Sequence, residues 1–176
     1  MTEEQQHTSM DTALQIDQPA PAIRRIEAML KPEEQILLVG AGHGRNARWL
    51  REQGHPVFAC DPYNGNDDVD GWVGVTSKPV PWHLRFEVGV TCYVLNVVPW
   101  DVARQIRKDM AHRCKVRYHI VRGTELATQI SQYKFDRRCG EGVITSKGYQ
   151  RVVIPPRDEG VTVWAANKNY VAWREV

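Results

Sequence analysis

Apolar and polar residues alternate in blocks along the chain, and the lengths of these blocks predict its secondary structure. The apolar runs of residues 36–40 and 56–60 predict two buried strands, the second of which stops at Asp61. The polar segment between them has helical spacing and ends at Gly54. A longer apolar run, residues 86–98, predicts a central strand followed by its exit loop. This part of the chain therefore alternates between strands and helices.

The same patterning continues on either side. Residues 20–31 place apolar side chains on one stripe, which predicts a short amphipathic helix. The helical spacing of Val102, Ile106 and Met110 predicts a further helix, and residues 114–122 predict a further strand. Together these patterns extend the alternation over most of the chain.

Three weaker patterns complete the assignment. Residues 72–75 predict a short strand, and residues 124–132 predict a short helix with Thr124 as its cap. The C-terminal segment alternates apolar and polar residues around an Asn-Lys-Asn sequence at 167–169, which predicts a hairpin that turns there.

Strand and helix alternate from residue 36 to residue 122, which is typical of a parallel sheet with helices on both faces. The predicted fold class is α/β, with a Rossmann-like, mainly parallel sheet and a C-terminal antiparallel hairpin. Because the chain has no internal repeat and no low-complexity linker, residues 19–176 are expected to form a single domain. Residues 1–18 are expected to be a flexible N-terminal tail.

Composition excludes several classes of protein. The chain has no apolar run of about 18 residues, so no membrane span is expected. Its acidic N-terminus lacks the apolar segment of a secretion signal, which predicts a cytoplasmic protein. The cysteines lack CxxC spacing, so free thiols in a reducing compartment and no metal site are expected. These cysteines are Cys60, Cys92, Cys114 and Cys139.

Charge is unevenly distributed, although the net charge is only +2. Residues 1–70 carry 6 Lys and Arg against 12 Asp and Glu, a balance of −6, whereas residues 101–157 carry 13 against 5, a balance of +8. The basic half permits a partner such as DNA or RNA, and the alternative is a solvated surface with scattered arginines. The residues expected to contact nucleic acid are Arg104, Arg107, Lys108, Arg113, Arg137, Arg138, Lys147 and Arg151.

The first strand runs into a turn in which Gly40, Gly42 and Gly44 occupy every second position. Glycine lets the backbone turn sharply and lets a ligand lie against the peptide groups. A strand, a glycine turn and a helix are typical of nucleotide binding, and the alternative is a turn that only closes the strand–helix unit. Dinucleotide-binding turns place their third glycine where this chain has Arg45, which argues against NAD.

The GxGxG turn, together with Asp61 at the end of the next strand, resembles class I S-adenosylmethionine-dependent methyltransferases. The resemblance implies S-adenosylmethionine as cofactor and S-adenosylhomocysteine as product, with Asp61 accepting hydrogen bonds from the ribose hydroxyls. The chain departs from the family at Leu38, where these enzymes have an acid that helps to hold the amino group of the cofactor. The cofactor-binding residues that the resemblance implies are Gly40, Ala41, Gly42, Gly44, Asp61, Pro62, Tyr63 and Tyr93.

Three further segments are together similar to the methyltransferases associated with DNA phosphorothioation: DPYN (61–64), YVLNVVP (93–99) and CGEGVITSKGYQRVVIP (139–155). The resemblance covers about residues 34–155 and implies a compact, phage-borne version that would act in the host cytoplasm. The chain lacks a D/N-P-P-Y sequence, which disfavours base-amino methylation of that type. For residues 145–150 the alternative is a β-turn between two strands.

Two residues are candidates for catalysis. Asn96, the polar side chain of the apolar exit loop, either contacts a substrate or caps the helix after Pro99. His43 lies inside the glycine turn, where it either touches cofactor or substrate or is only exposed. His119 lies within a predicted strand and is expected to be a core or interface histidine rather than a base.

Two functions from different classes agree with these observations. The first is an S-adenosylmethionine-dependent methyltransferase whose acceptor is a nucleic acid or a nucleotide-related small molecule. The second is a catalytically degenerate protein with the methyltransferase fold that acts as a nucleic-acid-binding or assembly module, which Leu38 and the basic half support. Binding of the cofactor distinguishes them.

Overall fold

The computed structural model describes residues 18–123, 125, 138–139, 142–145 and 148–176. Most of the predicted tail and nearly all of the helix predicted over 124–132 lie outside the described residues. The helices are α1 (Pro21–Glu27), α2 (Arg45–Glu52) and α3 (Trp100–Arg113). In the part of the chain that the structure describes, no helix is both long enough and apolar enough to cross a membrane.

The strands form one large sheet and one small sheet. In chain order they are β1 (Ile36–Val39), β2 (Val57–Cys60), β3 (Phe86–Cys92), β4 (Cys114–Arg122), β5 (Arg138–Cys139), β6 (Gly142–Thr145), β7 (Gly148–Gln150), β8 (Val161–Ala166) and β9 (Tyr170–Glu175). The main sheet has the order β2-β1-β3-β4-β9-β8. Strands β1 to β4 pair in parallel, whereas β9 and β8 are antiparallel. The pairing predicted between the first two strands is confirmed, and so is the α/β fold class.

Helices cover both faces of the main sheet, as the alternation predicted. On one face, α1 and α2 bury Ile23, Ile26 and Leu50 against the parallel strands. On the other face, α3 contributes Ala103 to a cluster that includes Trp173 of β9. Because both faces are covered, the parallel strands are continuous apolar runs.

The short strand predicted over residues 72–75 is wrong, since this segment forms turns. The Arg51 guanidinium donates hydrogen bonds to three carbonyl oxygens of residues 71–74, at 2.7 to 3.2 Å. In a β-strand, successive carbonyl groups point to opposite sides and accept hydrogen bonds from neighbouring strands. Carbonyl groups that all point to one arginine therefore cannot belong to a regular strand. The Trp72 ring packs edge-on against Phe58 with 5.4 Å between ring centroids, which explains the apolar character of the segment.

The C-terminal hairpin turns at the predicted place. The side-chain oxygen of Asn167 accepts hydrogen bonds from the N–H groups of Asn169 and Tyr170, at 2.9 and 3.1 Å. The small sheet has the order β5-β6-β7. Within it Thr145 of β6 pairs with Gly148 of β7, so the described residues of the segment 145–150 belong to two antiparallel strands, and residues 146–147 lie outside what the structure describes.

A buried carboxylate, that of Glu175, joins α3 to the antiparallel side of the sheet. It accepts hydrogen bonds from the guanidinium groups of Arg107 and Arg117, with shortest distances of 2.7 and 3.4 Å. The indole N–H of Trp173 donates to the same carboxylate at 2.9 Å. Burial opposes ionisation, but the hydrogen bonds and the neighbouring cations outweigh it and hold the pKa of Glu175 well below its usual range.

His119 is a core histidine, as predicted. Its Nδ1 lies 2.8 Å from the Thr91 hydroxyl, and its Nε2 lies 3.5 Å from the Glu175 carboxylate. Burial lowers the pKa of His119, so the imidazole is neutral at pH 7. Because the side chain is fully buried, it has no access to a substrate.

Three cysteines are free thiols, as predicted. Burial raises the pKa values of Cys60, Cys92 and Cys114 to about 12, so these thiols are protonated and unreactive at neutral pH. The side chain of Cys139 lies outside what the structure describes.

Candidate functional site

The carboxyl ends of β1, β2 and β3 meet at one edge of the sheet, and the glycine turn lies on this edge. The N–H groups of Gly40 and Ala41 both donate to the Cys60 carbonyl oxygen, at 2.9 and 3.1 Å. Gly40 has a φ of 69°, and a Cβ there would lie 2.3 Å from Val94 Cγ2. Only glycine fits at this position, because both the backbone and the loop after β3 require it.

The next two glycines continue the turn into α2. Gly42 and Gly44 also have positive φ, 56° and 83°. Gly44 precedes the first residue of α2, and no described side chain caps this helix. The first N–H groups of α2 therefore lack a side-chain partner at the edge where a ligand would lie.

Asp61 directly follows β2 and is only 6% exposed. Its Oδ2 accepts a hydrogen bond from the Gly42 N–H at 2.8 Å. Its Oδ1 accepts from the N–H groups of Tyr63 and Asn64, both at 2.9 Å. Asp61 thus fastens the loop after β2 to the glycine turn, a role that sequence reasoning missed. A carboxylate oxygen accepts two hydrogen bonds, so Oδ2 retains one lone pair beyond its bond to Gly42.

The aromatic residues predicted to bind the cofactor lie on the same edge. Tyr63 is half-buried in the loop after β2, next to the exposed Pro62. Tyr93 follows β3 with a φ of 62°, and its N–H donates to the Ile120 carbonyl oxygen at 2.8 Å. Burial raises the pKa of Tyr93 to about 12, so its hydroxyl is a hydrogen-bond donor at neutral pH.

His43 is exposed and lines a different feature, an open cavity of about 470 Å³ between α2 and residues 73–75. Arg48, Arg51 and Glu52 line the same cavity, whereas Asp61 does not. This catalytic candidate therefore lines a cavity that Asp61 does not line, although Gly42, its neighbour in the turn, donates a hydrogen bond to Asp61. Sequence reasoning missed the cavity because residues 73–75 were expected to belong to a strand.

Asn96 is buried in the loop between β3 and α3, at 1% exposure. Its Nδ2 donates to Gln150 Oε1 at 3.0 Å, and its carbonyl oxygen accepts from the Arg151 N–H at 2.8 Å. Of the two alternatives for Asn96, the helix cap does not occur, because α3 begins after Pro99 without a side-chain cap hydrogen bond from a described residue. Asn96 Oδ1 has no hydrogen-bond partner among the described residues.

Among the described side chains, the basic residues predicted to contact nucleic acid are not all on one surface. Arg107 turns inward to Glu175, at 2.7 Å. Arg151 is buried and donates to the Val98 carbonyl oxygen at 2.8 Å. Arg113 ends α3 at the opposite edge of the sheet and donates to the Pro81 carbonyl oxygen at 2.7 Å. The side chains of Arg137, Arg138 and Lys147 lie outside the described part of the chain.

The remaining two basic residues do share a helix face. Arg104 and Lys108 are exposed and lie one and two turns after Trp100, which is 47% exposed at the start of α3. The Arg151 guanidinium lies 5.2 Å from the Trp100 ring centroid, which holds the indole in place. Trp100 was not identified from the sequence, although its spacing of four and eight residues from Arg104 and Lys108 places it on the same face of a helix.

The departure at Leu38 is a feature of the core. Leu38 is 1% exposed within the cluster beneath α1 and α2. A carboxylate there would be costly because it would be desolvated. The glycine turn is followed directly by a cationic residue, Arg45, which is the first residue of α2.

These observations fit the nucleoside cofactor that the sequence implies. Asp61 offers an acceptor at the sheet edge, three glycines give the backbone a positive φ, and the start of α2 is uncapped. Among the described residues, no group of three or more His, Cys, Asp or Glu side chains is placed to hold a metal ion.

Comparison of the fold with solved structures identifies methyltransferases. A Burkholderia thailandensis 1,6-didemethyltoxoflavin-N1-methyltransferase is 16% identical, with a TM-score of 0.57 over 88% of this chain and 77% of that chain. The Synechocystis PCC 6803 magnesium protoporphyrin IX methyltransferase is 11% identical, with a TM-score of 0.53 over 87% and 76%. A Rhodobacter sphaeroides protein assigned provisionally as a zinc-dependent alcohol dehydrogenase is 14% identical, with a TM-score of 0.60 over 99% and 98%. No protein-family model and no curated protein matches the sequence.

The chain therefore has the class I fold of S-adenosylmethionine-dependent methyltransferases. At these levels of identity the likeness concerns the fold alone, and activities differ among proteins that share a fold.

Proposed function

We propose that the protein is an S-adenosylmethionine-dependent methyltransferase. The observation that carries the proposal is the buried Asp61 carboxylate, which lies 2.8 Å from the Gly42 N–H and keeps an acceptor lone pair at the carboxyl edge of the sheet. A ribose hydroxyl is a donor that suits this oxygen. The Burkholderia thailandensis neighbour has S-adenosylhomocysteine bound, and the Synechocystis neighbour has S-adenosylmethionine bound, which supports the same cofactor here.

The residues of this edge would bind and orient rather than exchange protons. Asp61 would hold the ribose, and the half-buried Tyr63 would supply contact area to the adenine. The bound cofactor supplies an electrophilic methyl group on a sulfonium. Among the described residues, His119 is buried and the pKa values of Cys92 and Tyr93 are raised, so positioning of the acceptor would carry most of the rate.

We expect S-adenosylhomocysteine and S-adenosylmethionine to bind and NAD not to bind, because Arg45 occupies the place of the third dinucleotide glycine. Isothermal titration calorimetry with the three ligands measures this. Binding of NAD without binding of S-adenosylhomocysteine or S-adenosylmethionine would contradict the proposal. Adenosine serves as a control for non-specific nucleoside binding.

We further propose that the acceptor is a nucleic acid, and that the protein belongs with the methyltransferases associated with DNA phosphorothioation, in a compact, phage-borne form. The face formed by Trp100, Arg104 and Lys108 supports a nucleic-acid acceptor, because it starts at the carboxyl edge of the sheet. An exposed indole can stack on a base while the two cations contact phosphates. Arg107 and Arg113 take no part in this face, and the buried Arg151 contributes to it only through its contact with the Trp100 ring.

Reversal of charge on this face, Arg104→Glu with Lys108→Glu, should weaken binding of DNA or RNA about tenfold. It should also lower by about 2 the slope of log affinity against log salt concentration, because two phosphate contacts are lost. Fluorescence anisotropy at 50 and 200 mM salt measures both effects. The matched control is Arg25→Glu with Lys31→Glu, which makes the same charge change at two exposed positions outside α3. Equal loss in both double variants would show that net charge, not this face, is responsible.

The second candidate function is a nucleic-acid-binding or assembly module without catalysis. Leu38 favours it, because the buried leucine removes the acid that holds the amino group in the resembling enzymes. Binding of nucleic acid without binding of S-adenosylhomocysteine would identify this function.

A further inference from the structure

The chain lacks an acid at residue 38 but places a cation where the glycine turn enters α2. Arg45 is the first residue of this helix, and its Nη1 donates to the Gln18 carbonyl oxygen at 3.4 Å, close to the limit for a hydrogen bond. None of the ion pairs among the described residues includes Arg45. This guanidinium is therefore a half-buried cation whose charge no described carboxylate balances.

The surroundings of Arg45 are built from three segments. The Ala20 N–H donates to Asn46 Oδ1 at 3.0 Å, which fastens the segment before α1 to the start of α2. Strands β1 and β3 pair in parallel, so the turn that leads from β1 to Arg45 and the residues that end and follow β3, Cys92 and Tyr93, lie at the same edge of the sheet. In agreement with this placement, burial raises the pKa values of Cys92 and Tyr93, and the charge of Arg45 opposes both shifts. Arg45 thus lies between the first helix, the glycine turn and the carboxyl end of the central strand.

The groups in this place are donors. The Tyr93 hydroxyl is protonated at neutral pH, the first turn of α2 is uncapped, and Arg45 presents a fork of N–H groups. Helix N-termini and arginine forks both favour a carboxylate. The acid that holds the ammonium group in the resembling enzymes is replaced by the buried Leu38, and Asp61, which bonds to the glycine turn, is the acid assigned to the ribose.

We propose that Arg45, with the Tyr93 hydroxyl and the start of α2, binds the carboxylate at the amino-acid end of S-adenosylmethionine. This inference rests on the proposed function and deepens it. The chain recognises the amino-acid end through its carboxylate, in place of the amino-group contact that the acid provides in the resembling enzymes. Arg45 is a binding residue for the cofactor and takes no proton.

The test compares S-adenosylmethionine with decarboxylated S-adenosylmethionine, which lacks only the carboxylate, and with 5′-methylthioadenosine, which lacks the whole amino-acid end. The wild-type protein should bind S-adenosylmethionine about 10 to 100 times more tightly than the decarboxylated form, as a charged hydrogen bond implies. In Arg45→Gln this ratio should fall towards one. Arg45→Lys should give an intermediate ratio, because it keeps the charge and loses the fork.

Two controls make the result specific. The affinity for 5′-methylthioadenosine should be unchanged in Arg45→Gln, which shows that the adenosine part of the site is intact. Arg85→Gln should leave all three affinities unchanged, because this exposed arginine precedes β3 at the opposite edge of the sheet. Calorimetry on the full chain gives every value without an assay of activity.

The outcomes separate the two proposals. An equal loss of affinity for both sulfonium ligands in Arg45→Gln, or an unchanged ratio between them, overturns the carboxylate assignment and leaves the proposed function standing. If the wild-type protein binds none of the three ligands, the proposed function fails and the inference fails with it.

Discussion

Glu175→Gln should lower the free energy of unfolding by about 3 kcal/mol at pH 7, at the lower end of what the loss of one partner of a buried ion pair costs. The wild-type carboxylate accepts hydrogen bonds from Arg107, Arg117 and Trp173. Glu175 as a whole is 5% exposed. The neutral amide would leave two guanidinium groups without their anion. We take the lower end because the Arg107 side chain is 24% exposed and reaches water.

The matched control is Glu87→Gln, the same substitution in an exposed ion pair. Glu87 lies 3.4 Å from Lys115, whose side chain is 77% exposed, so this pair should contribute no more than about 1 kcal/mol. Urea unfolding of the wild-type protein and both variants measures the difference. Equal losses in the two variants would contradict the role assigned to the buried carboxylate.

The pH dependence of stability has a definite sign. The folded pKa of Glu175 is lowered, so its contribution is complete above the pKa of an unfolded glutamate, about 4.3, and is lost as the pH falls further. The difference between the wild-type protein and Glu175→Gln should therefore be full at pH 7 and shrink below about pH 4.3. The lowered pKa of His119 also makes the folded protein less stable as the pH falls. This loss begins below about pH 6.5, where the imidazole of the unfolded chain takes up a proton and the buried imidazole does not.

The parallel part of the fold could be predicted because its strands are buried on both faces. Leu37 and Leu38 are neighbours in β1, yet they belong to core clusters on opposite faces of the sheet. A strand of this kind is a continuous apolar run, which the sequence displays directly. Leu38, which stands where the resembling enzymes have an acid, is part of this buried run.

What could not be predicted depends on contacts between distant residues. The spacing of Arg104, Arg107 and Lys108 places them near one another on α3, but Arg107 turns inward because Glu175, 68 residues later, receives it. Residues 72–75 have the composition of a strand, but the Arg51 side chain collects carbonyl groups of this segment. Neither partner can be identified from local periodicity.

The glycine turn and the acid after β2 could be predicted from sequence, while the hydrogen bonds that the acid accepts could not. The glycine turn and the acid after β2 were identifiable because their residue types are restricted by backbone geometry and by hydrogen bonding. The three backbone N–H groups that already donate to Asp61 belong to Gly42, Tyr63 and Asn64. Their presence changes the expected effect of substitution at this position.

Asp61→Ala should weaken the binding of S-adenosylhomocysteine by about 30-fold or more, corresponding to on the order of 2–4 kcal/mol. Part of this loss is direct, because Oδ2 is the acceptor assigned to the ribose. Part is indirect, because the loop after β2 would lose its bond to the glycine turn, which is 2.8 Å long in the wild-type protein. Calorimetry measures the total, and circular dichroism confirms that the variant is folded.

The two parts can be separated with a ligand that lacks a ribose hydroxyl. The comparison uses 5′-methylthioadenosine and its 2′-deoxy and 3′-deoxy forms on the wild-type protein and on Asp61→Asn. The amide keeps the side-chain oxygen that can serve Tyr63 and Asn64 but loses the charge at the position of Oδ2. If Asp61 holds the ribose, removal of a hydroxyl should cost the wild-type protein about tenfold in affinity and cost Asp61→Asn much less. Identical costs in the two proteins would assign Asp61 to the architecture of the turn alone, because a residue that contacts the hydroxyls must lose sensitivity to them when its carboxylate is removed.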